Sequence, residues 1–259
     1  MSHGICLLSV VPCRKEASNT SEMVTQLLFG ETYEIIEETE GWYKIIIAYD
    51  SYECWLNKKQ HNFLTEKTFH EIKKNKTFCN GDLVQVLKNK KLNTNIAITI
   101  GSSLPLLNKN DIQFDNFHFS FDGTTIDSSI KNNAQKIVQT AYLFLNAPYL
   151  WGGKNPFGID CSGFTQLVYK LNGYKLPRDA FQQVEIGHPL SFVEESETGD
   201  LAFFDNEEGR IVHVGILLDN QTIIHASGQI RIDKFDHYGI FHSDIKKYSH
   251  NLRVIKRIL

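Results

Sequence analysis

The chain has 259 residues, more than one ordinary domain requires, so two or three domains are expected, each able to bury a core. Its 27 Lys and Arg against 30 Asp and Glu leave a formal net charge of -3, and 42% of the residues are hydrophobic. That is the composition of a globular protein, and it offers no basis for binding nucleic acid or an anionic membrane surface.

In chain order, the first stretch, Met1 to Leu8, lacks the basic n-region of a secretory signal and reads as a β-strand. No run approaches the roughly 18 apolar residues of a membrane span. Short segments of β-branched and aromatic residues follow at Ile5–Val11, Glu22–Leu28, Thr32–Glu38, Trp42–Ala48 and Tyr52–Leu56, with Gly30-Glu31 and Glu40-Gly41 as turns. Strand-length runs with such punctuation predict a small β-barrel over residues 1–64. The segments Val11-Pro12-Cys13-Arg14, Glu40 to Lys44 and Tyr52 to Leu56 resemble a bacterial SH3-like domain, with Cys54 where that family usually carries Gly before its final Trp.

Residues 65–124 repeat the pattern more faintly. Asp82 to Leu87 alternates apolar and polar, Lys88-Asn89-Lys90-Lys91 reads as a solvated hairpin tip, and Asn93–Ile100 as the returning strand, so a second, degenerate barrel is expected. From Ser128 to Leu145 apolar residues recur at three- and four-residue steps, the period of an amphipathic helix. Asp127, Ser128 or Ser129 would cap it, Pro148 would end it, and a domain of residues 125–259 begins here.

Gly152-Gly153 and Phe157-Gly158 permit a tight turn into a helix that starts at Cys161, with Asp160 as its N-cap and Asn172-Gly173 as its end. A cysteine there feels the positive end of the helix dipole, which favours the nucleophilic thiolate. Taken alone, such a cysteine is more often a small buried apolar residue. The other four (Cys6, Cys13, Cys54, Cys79) are scattered without a C-x-x-C pair, which argues against a disulfide framework or a zinc site and fits a reducing cytoplasm.

Two histidines change the weighing of Cys161. Gly199–Phe204 and Ile211–Leu218 read as strands, and Asp219-Asn220-Gln221 turns the second into Thr222–Ala226, which puts His213 and His225 on opposite arms of a hairpin. If Leu218 pairs with Thr222 across a three-residue loop, Gly215 lies opposite His225, and His213 is diagonal to it on the same face. A two-residue loop would put them on opposite faces. In the first arrangement His213 would take the proton of Cys161, and His225 would orient it.

Pro148 to Gly153, Gly158-Ile159-Asp160-Cys161-Ser162-Gly163, His213 to Ile216 and Ile224-His225-Ala226 resemble the motifs of the NlpC family of cell-wall cysteine peptidases. The resemblance implies an α+β, papain-like cysteine peptidase domain, with the nucleophile's helix packed on an antiparallel sheet, preceded by two small SH3-like β-barrels. It implies Cys161 as nucleophile, His213 as base, His225 as third member, Tyr149 beside the nucleophile, and neither metal nor cofactor. The branch with such barrels is similar to peptidases that cut the γ-D-glutamyl bond to L-Lys or meso-diaminopimelate in murein peptides with a free N-terminal L-Ala. Asp160 and Ser162 match positions that hold that amine there, with an acid of the first barrel assisting, for which Glu53 is the candidate. Arg178-Asp179 would either line the groove or form a surface turn. The expected partner is a murein-derived peptide, with no nucleic acid or membrane. A peptide-binding module without turnover, or an acyltransferase or amidase on the same core, is the alternative.

Overall fold

A computed structural model describes residues 2–259 and divides the chain into two compact units. The first comprises residues up to Ile130 together with Trp151–Pro156; the second comprises Lys131–Leu150 and Phe157–Leu259.

In the first unit, strands β1 (Ser2–Ile5), β2 (Val10–Arg14), β3 (Met23–Leu28), β4 (Thr32–Thr39), β5 (Trp42–Ile47), β6 (Glu53–Asn57) and β7 (Asn62–Leu64) form one antiparallel sheet in the order β3-β2-β6-β5-β4-β1-β7. The period-two pattern does this directly. Val11 and Cys13 of β2, Ile45 and Ile47 of β5, and Cys54 and Leu56 of β6 point inward and pack into one apolar cluster. Cys54, at the position where a glycine was expected, is a buried core residue paired with Ile45.

Helix α1 (Glu66–Lys74), capped by Thr65, leads to β8 (Phe78–Asn80), β9 (Val84–Asn89), β10 (Thr94–Thr99), β11 (Ser103–Leu104), β12 (Leu107–Asn108), β13 (Asp111–Phe114), β14 (Phe117–Ser120) and β15 (Thr125–Asp127). The β9–β10 hairpin and its lysine-rich tip fall where the sequence placed them, with Asn89 Oδ1 accepting from the Lys91 and Leu92 N–H groups. The expected second barrel does not form. These strands divide between a five-stranded sheet, β10-β9-β14-β13-β12, and a separate three-stranded one, β11-β8-β15. Two strands of two residues are too short to wrap a sheet closed, and Val84 and Val86 on β9 stay exposed. The inner faces instead join the first region's core, where Leu87, Ile98 and Phe119 cluster with Ile5, Phe29 and Leu64.

Residues 151–156 carry the first half of the glycine-rich stretch and include β16 (Lys154–Asn155). Gly152 has φ +75°, and a Cβ there would stand 2.3 Å from the Met23 carbonyl oxygen, so only glycine fits. Trp151 Nε1 donates to Glu22, the Lys154 N–H to Gln26, and the buried Lys154 ammonium lies 3.0 Å from both Glu31 oxygens.

The second unit is α+β. Helix α2 (Ala134–Tyr142) is shorter than the periodic stretch, and its cap is Asn133, not Asp127, Ser128 or Ser129. The reason is local: Asp127 ends β15, and its carboxylate is taken by the Ser129 N–H and hydroxyl. After β17 (Gly158–Ile159) come α3 (Cys161–Leu171), α4 (Ala180–Gln183), β18 (His188–Pro189), β19 (Leu201–Asp205), β20 (Ile211–Leu217), β21 (Thr222–Ser227), β22 (Gln229–Asp236), β23 (Gly239–His242) and β24 (Lys247–Arg257). The seven strands from β18 to β24 form one antiparallel sheet, ordered β18-β24-β19-β20-β21-β22-β23 with β23 also pairing with β24, and every residue of α3 is buried. The helix packs on β20 and β21, the two strands that carry the histidines.

Candidate active site

Asp160 precedes the first turn of α3 with extended backbone, and its Oδ1 accepts from the Gly163 N–H at 2.6 Å. The N-cap read from the sequence is therefore formed, and it sets Cys161 as the first helical residue. The cysteine is 6% exposed. Its sulfur lies within reach of the backbone N–H groups of Val214, next to His213 on β20, and of Ser162. Burial nevertheless pushes the thiol up to about 12, the Asp160 charge adding to it, while the Val214 N–H, Arg178 and the Ser162 N–H act in the opposite direction. Desolvation therefore opposes the helix terminus, which alone would favour the thiolate.

Asp160 also binds Arg178, whose Nη1 lies 3.0 Å from Oδ1 and Nη2 2.7 Å from Oδ2. The same Nη1 donates to Ser162 Oγ at 3.0 Å. Arg178 is 1% exposed, so Leu176-Pro177-Arg178 is no surface turn: it delivers a buried cation to the start of α3. Asp179 follows, its N–H donating to Gln182 at the start of α4. Tyr149, half-buried, lies close enough to Cys161 and Asp160 for their charges to raise its hydroxyl pKa, after burial, which is the larger cause.

The hairpin has the register that the three-residue loop required. The Leu218 N–H donates to the Thr222 carbonyl, and Gly215 lies opposite His225. A Cβ at Gly215 would come within 2.9 Å of His225 Cβ and 2.7 Å of Ile223 Cδ1, so glycine leaves the room in which the diagonal pair meets. His213 Nε2 lies 2.8 Å from His225 Nδ1, with the rings at 84°. Both rings are buried, and burial, the leading cause in each, lowers both pKa values, that of His213 well below the usual imidazole range.

Three further residues complete the setting. His225 Nε2 lies 3.0 Å from Asp233 Oδ2 on β22, and Asp233 takes a bidentate contact from Arg231 at 2.6 and 2.9 Å. His250 of β24 stacks on His213, centroids 4.1 Å apart and planes at 26°. Sequence reading missed all of them, although an acid inside the alternating strand Gln229–Asp236 was a usable signal, since a buried strand charge needs a partner. The ligand nitrogens of His213, His225 and His250 gather within 4.8 Å, but the set is poorly shaped for a metal. Stacked rings direct their in-plane lone pairs side by side, and His213 Nε2 and His225 Nδ1 already face each other. Glu53 lies in the first unit on β6, exposed, with its carboxylate 3.1 Å from Lys44 Nζ.

A buried cysteine at a helix start, packed on a strand that presents one imidazole bonded to a second, is the equipment of a cysteine hydrolase with a papain-like core. Residues 146–247 match the NlpC/P60 family, and residues 13–60 match the bacterial dipeptidyl-peptidase Sh3 domain. The chain is 32% identical over 219 residues to the gamma-D-glutamyl-L-lysine dipeptidyl-peptidase of Bacillus subtilis, covering 78% of this chain and 71% of that one. It is 27% identical over 240 residues to dipeptidyl-peptidase 6 of Lysinibacillus sphaericus, covering 83% and 85%. The fold is similar to the crystal structure of an NlpC/P60 family protein from Bacillus cereus, with TM-score 0.81, 20% identity and 99% of each chain covered. The chain belongs to the NlpC/P60 family of cysteine hydrolases, with an N-terminal SH3-like region, and is related to the gamma-D-glutamyl dipeptidyl-peptidases.

Proposed function

We propose that the protein hydrolyses the γ-D-glutamyl bond to L-Lys or meso-diaminopimelate in murein peptides that begin with a free L-Ala. The observation that carries this reading is the 32% identity to a gamma-D-glutamyl-L-lysine dipeptidyl-peptidase, which covers 78% of this chain and so extends beyond the peptidase core. Relatives with p60-type names match only about a third of this chain, as with the probable endopeptidase p60 of Listeria seeligeri at 35%.

In this reading Cys161 attacks the γ-carbonyl while His213 takes its proton and later returns it to the leaving amine. A tetrahedral intermediate collapses to an acyl-enzyme, which water resolves on the same base. The Cys161 N–H and Tyr149 are the proposed partners of the oxyanion. Asp160 and Ser162 hold the substrate's amino end. Arg178 already neutralises Asp160, so the positive amine calls for a further carboxylate besides it. Action on released peptides in the cytoplasm is part of the same proposal.

The test is mass spectrometry of products from L-Ala-γ-D-Glu-L-Lys and its diaminopimelate analogue, each with a free and with an acetylated N-terminus. Release of the free diamino acid from the unblocked peptides only is the expected result. Equal cleavage of the acetylated peptides would remove the amine-recognition part, and cleavage of neither would remove the bond assignment.

A further inference from the structure

Asp233 is a carboxylate in the interior of a strand, 4% exposed. The cross-strand register explains how it reaches the site: Arg231 lies opposite His225 and Asp233 opposite Ile223, so Arg231, Asp233 and His225 share one face of the β21–β22 pair. Arg231 turns the carboxylate with Nε to Oδ2 and Nη2 to Oδ1, and its own Nη2 is held by Asp244 at 3.1 Å. Oδ2 is then presented to His225 Nε2 at 3.0 Å.

Proton bookkeeping follows from these contacts. An ionised carboxylate only accepts, so His225 Nε2 must carry hydrogen. The contacts from His225 and Arg231 hold Asp233 down at about 2 against the opposing effect of burial, so it is ionised at neutral pH. A neutral His225 with hydrogen on Nε2 offers a lone pair at Nδ1, which can only accept. Its partner at 2.8 Å, His213 Nε2, is therefore the donor. His213 is left with its lone pair on Nδ1, the ring nitrogen not committed to His225.

We propose that Asp233, seated by Arg231, is a positioning residue of the peptidase: through His225 it fixes the tautomer of His213 so that Nδ1 is the nitrogen able to accept the Cys161 proton. This rests on the assignment of Cys161, His213 and His225 as the reacting set and is independent of which peptide bond is cut. When His213 takes the proton the imidazolium can donate from both nitrogens, and the line His213–His225–Asp233 remains fully bonded without any ring having to turn. The other titratable groups around the line are His250, stacked on His213, and His242 on β23, which lies 3.8 Å from Asp244. An ordinary hairpin ion pair between Arg231 and Asp233 would account for two of the three contacts to Asp233, but not for the one to His225.

Two readouts that need no substrate test it. The first is long-range proton–nitrogen NMR of histidine-labelled protein at neutral pH, where both His213 and His225 are expected with hydrogen on Nε2. Hydrogen on Nδ1 of either ring would overturn the proposal without any variant having to fold. The second is the rate of Cys161 alkylation by iodoacetamide in Asp233→Ala, expected to fall on the order of 100-fold with His213 shifting to a mixture of tautomers, and to recover in part in Asp233→Glu. A rate within about twofold of the parent, in a variant of unchanged thermal midpoint, would equally sink it. Both measurements stand apart from the bond assignment. Inactivity on γ-D-glutamyl peptides with the tautomers as described would remove that reading and leave this one.

Discussion

The two sides of the site bury charge in different ways. At the start of α3, Asp160 and Arg178 form a bidentate pair that also ties down Ser162 and the Gly163 N–H. Across from it, on β20–β22, His213, His225 and Asp233 form a line of single hydrogen bonds. The first is a fixed pair of opposite charges in which no proton has to move: its contribution is to hold backbone, and through it the cysteine, in place. The second runs through two imidazoles, whose nitrogens can exchange donor and acceptor roles, to a carboxylate that only accepts. The difference separates geometry from proton transfer, and it assigns them to different elements of the fold.

The largest expected effect tests whether the two sides nonetheless act as one machine. Cys161→Ala and His213→Ala should each lower kcat by about 10³-fold or more, and the double variant should lose no more than either alone, since neither group is of use without the other. Losses that multiply would mean that the two regions act independently.

Next is the static side. Arg178→Met leaves Asp160 buried without its cation and should cost about 3–5 kcal/mol of stability, read from denaturant midpoints. A fall in kcat at unchanged stability would place Arg178 in the chemistry and break the contrast.

The smallest effect is one of pH. Burial pushes the Cys161 thiol up to about 12, so below that value the thiolate fraction grows about tenfold for each pH unit. Alkylation of Cys161 in the free enzyme is therefore expected to keep climbing between about pH 7 and pH 9. A plateau in that interval would show a thiolate–imidazolium pair already formed at rest, which would make the nucleophile side as charged as its Asp160–Arg178 neighbour.

Much of this was legible in residue order. The start of α3 at Cys161, its Asp160 cap, its end at Asn172 and Gly173, and the three-residue loop that puts Gly215 opposite His225 all follow from patterns spanning a few residues. So do most strands of the SH3-like region, where Val11, Cys13, Ile45, Ile47, Cys54 and Leu56 alternate into the core, whereas the expected run Ile5–Val11 divides into the ends of β1 and β2. The second barrel was not legible, since alternation identifies strands such as Val84–Asn89 and Thr94–Thr99 without saying whether a sheet closes. The α2 cap was misread because Asp127 and Ser129 satisfy each other before the helix begins.

By itself, then, the sequence determined the candidate set: a cysteine at a helix start and two histidines whose spacing and loop put them on one face. Only the tertiary structure decided which charge neutralises which. Arg178 lies 18 residues from Asp160, and Asp233 meets His225 from a neighbouring strand. The physical reason is that a local pattern sets the direction of a side chain, whereas the partner of a buried charge is whatever opposite charge the packed fold brings within hydrogen-bond reach.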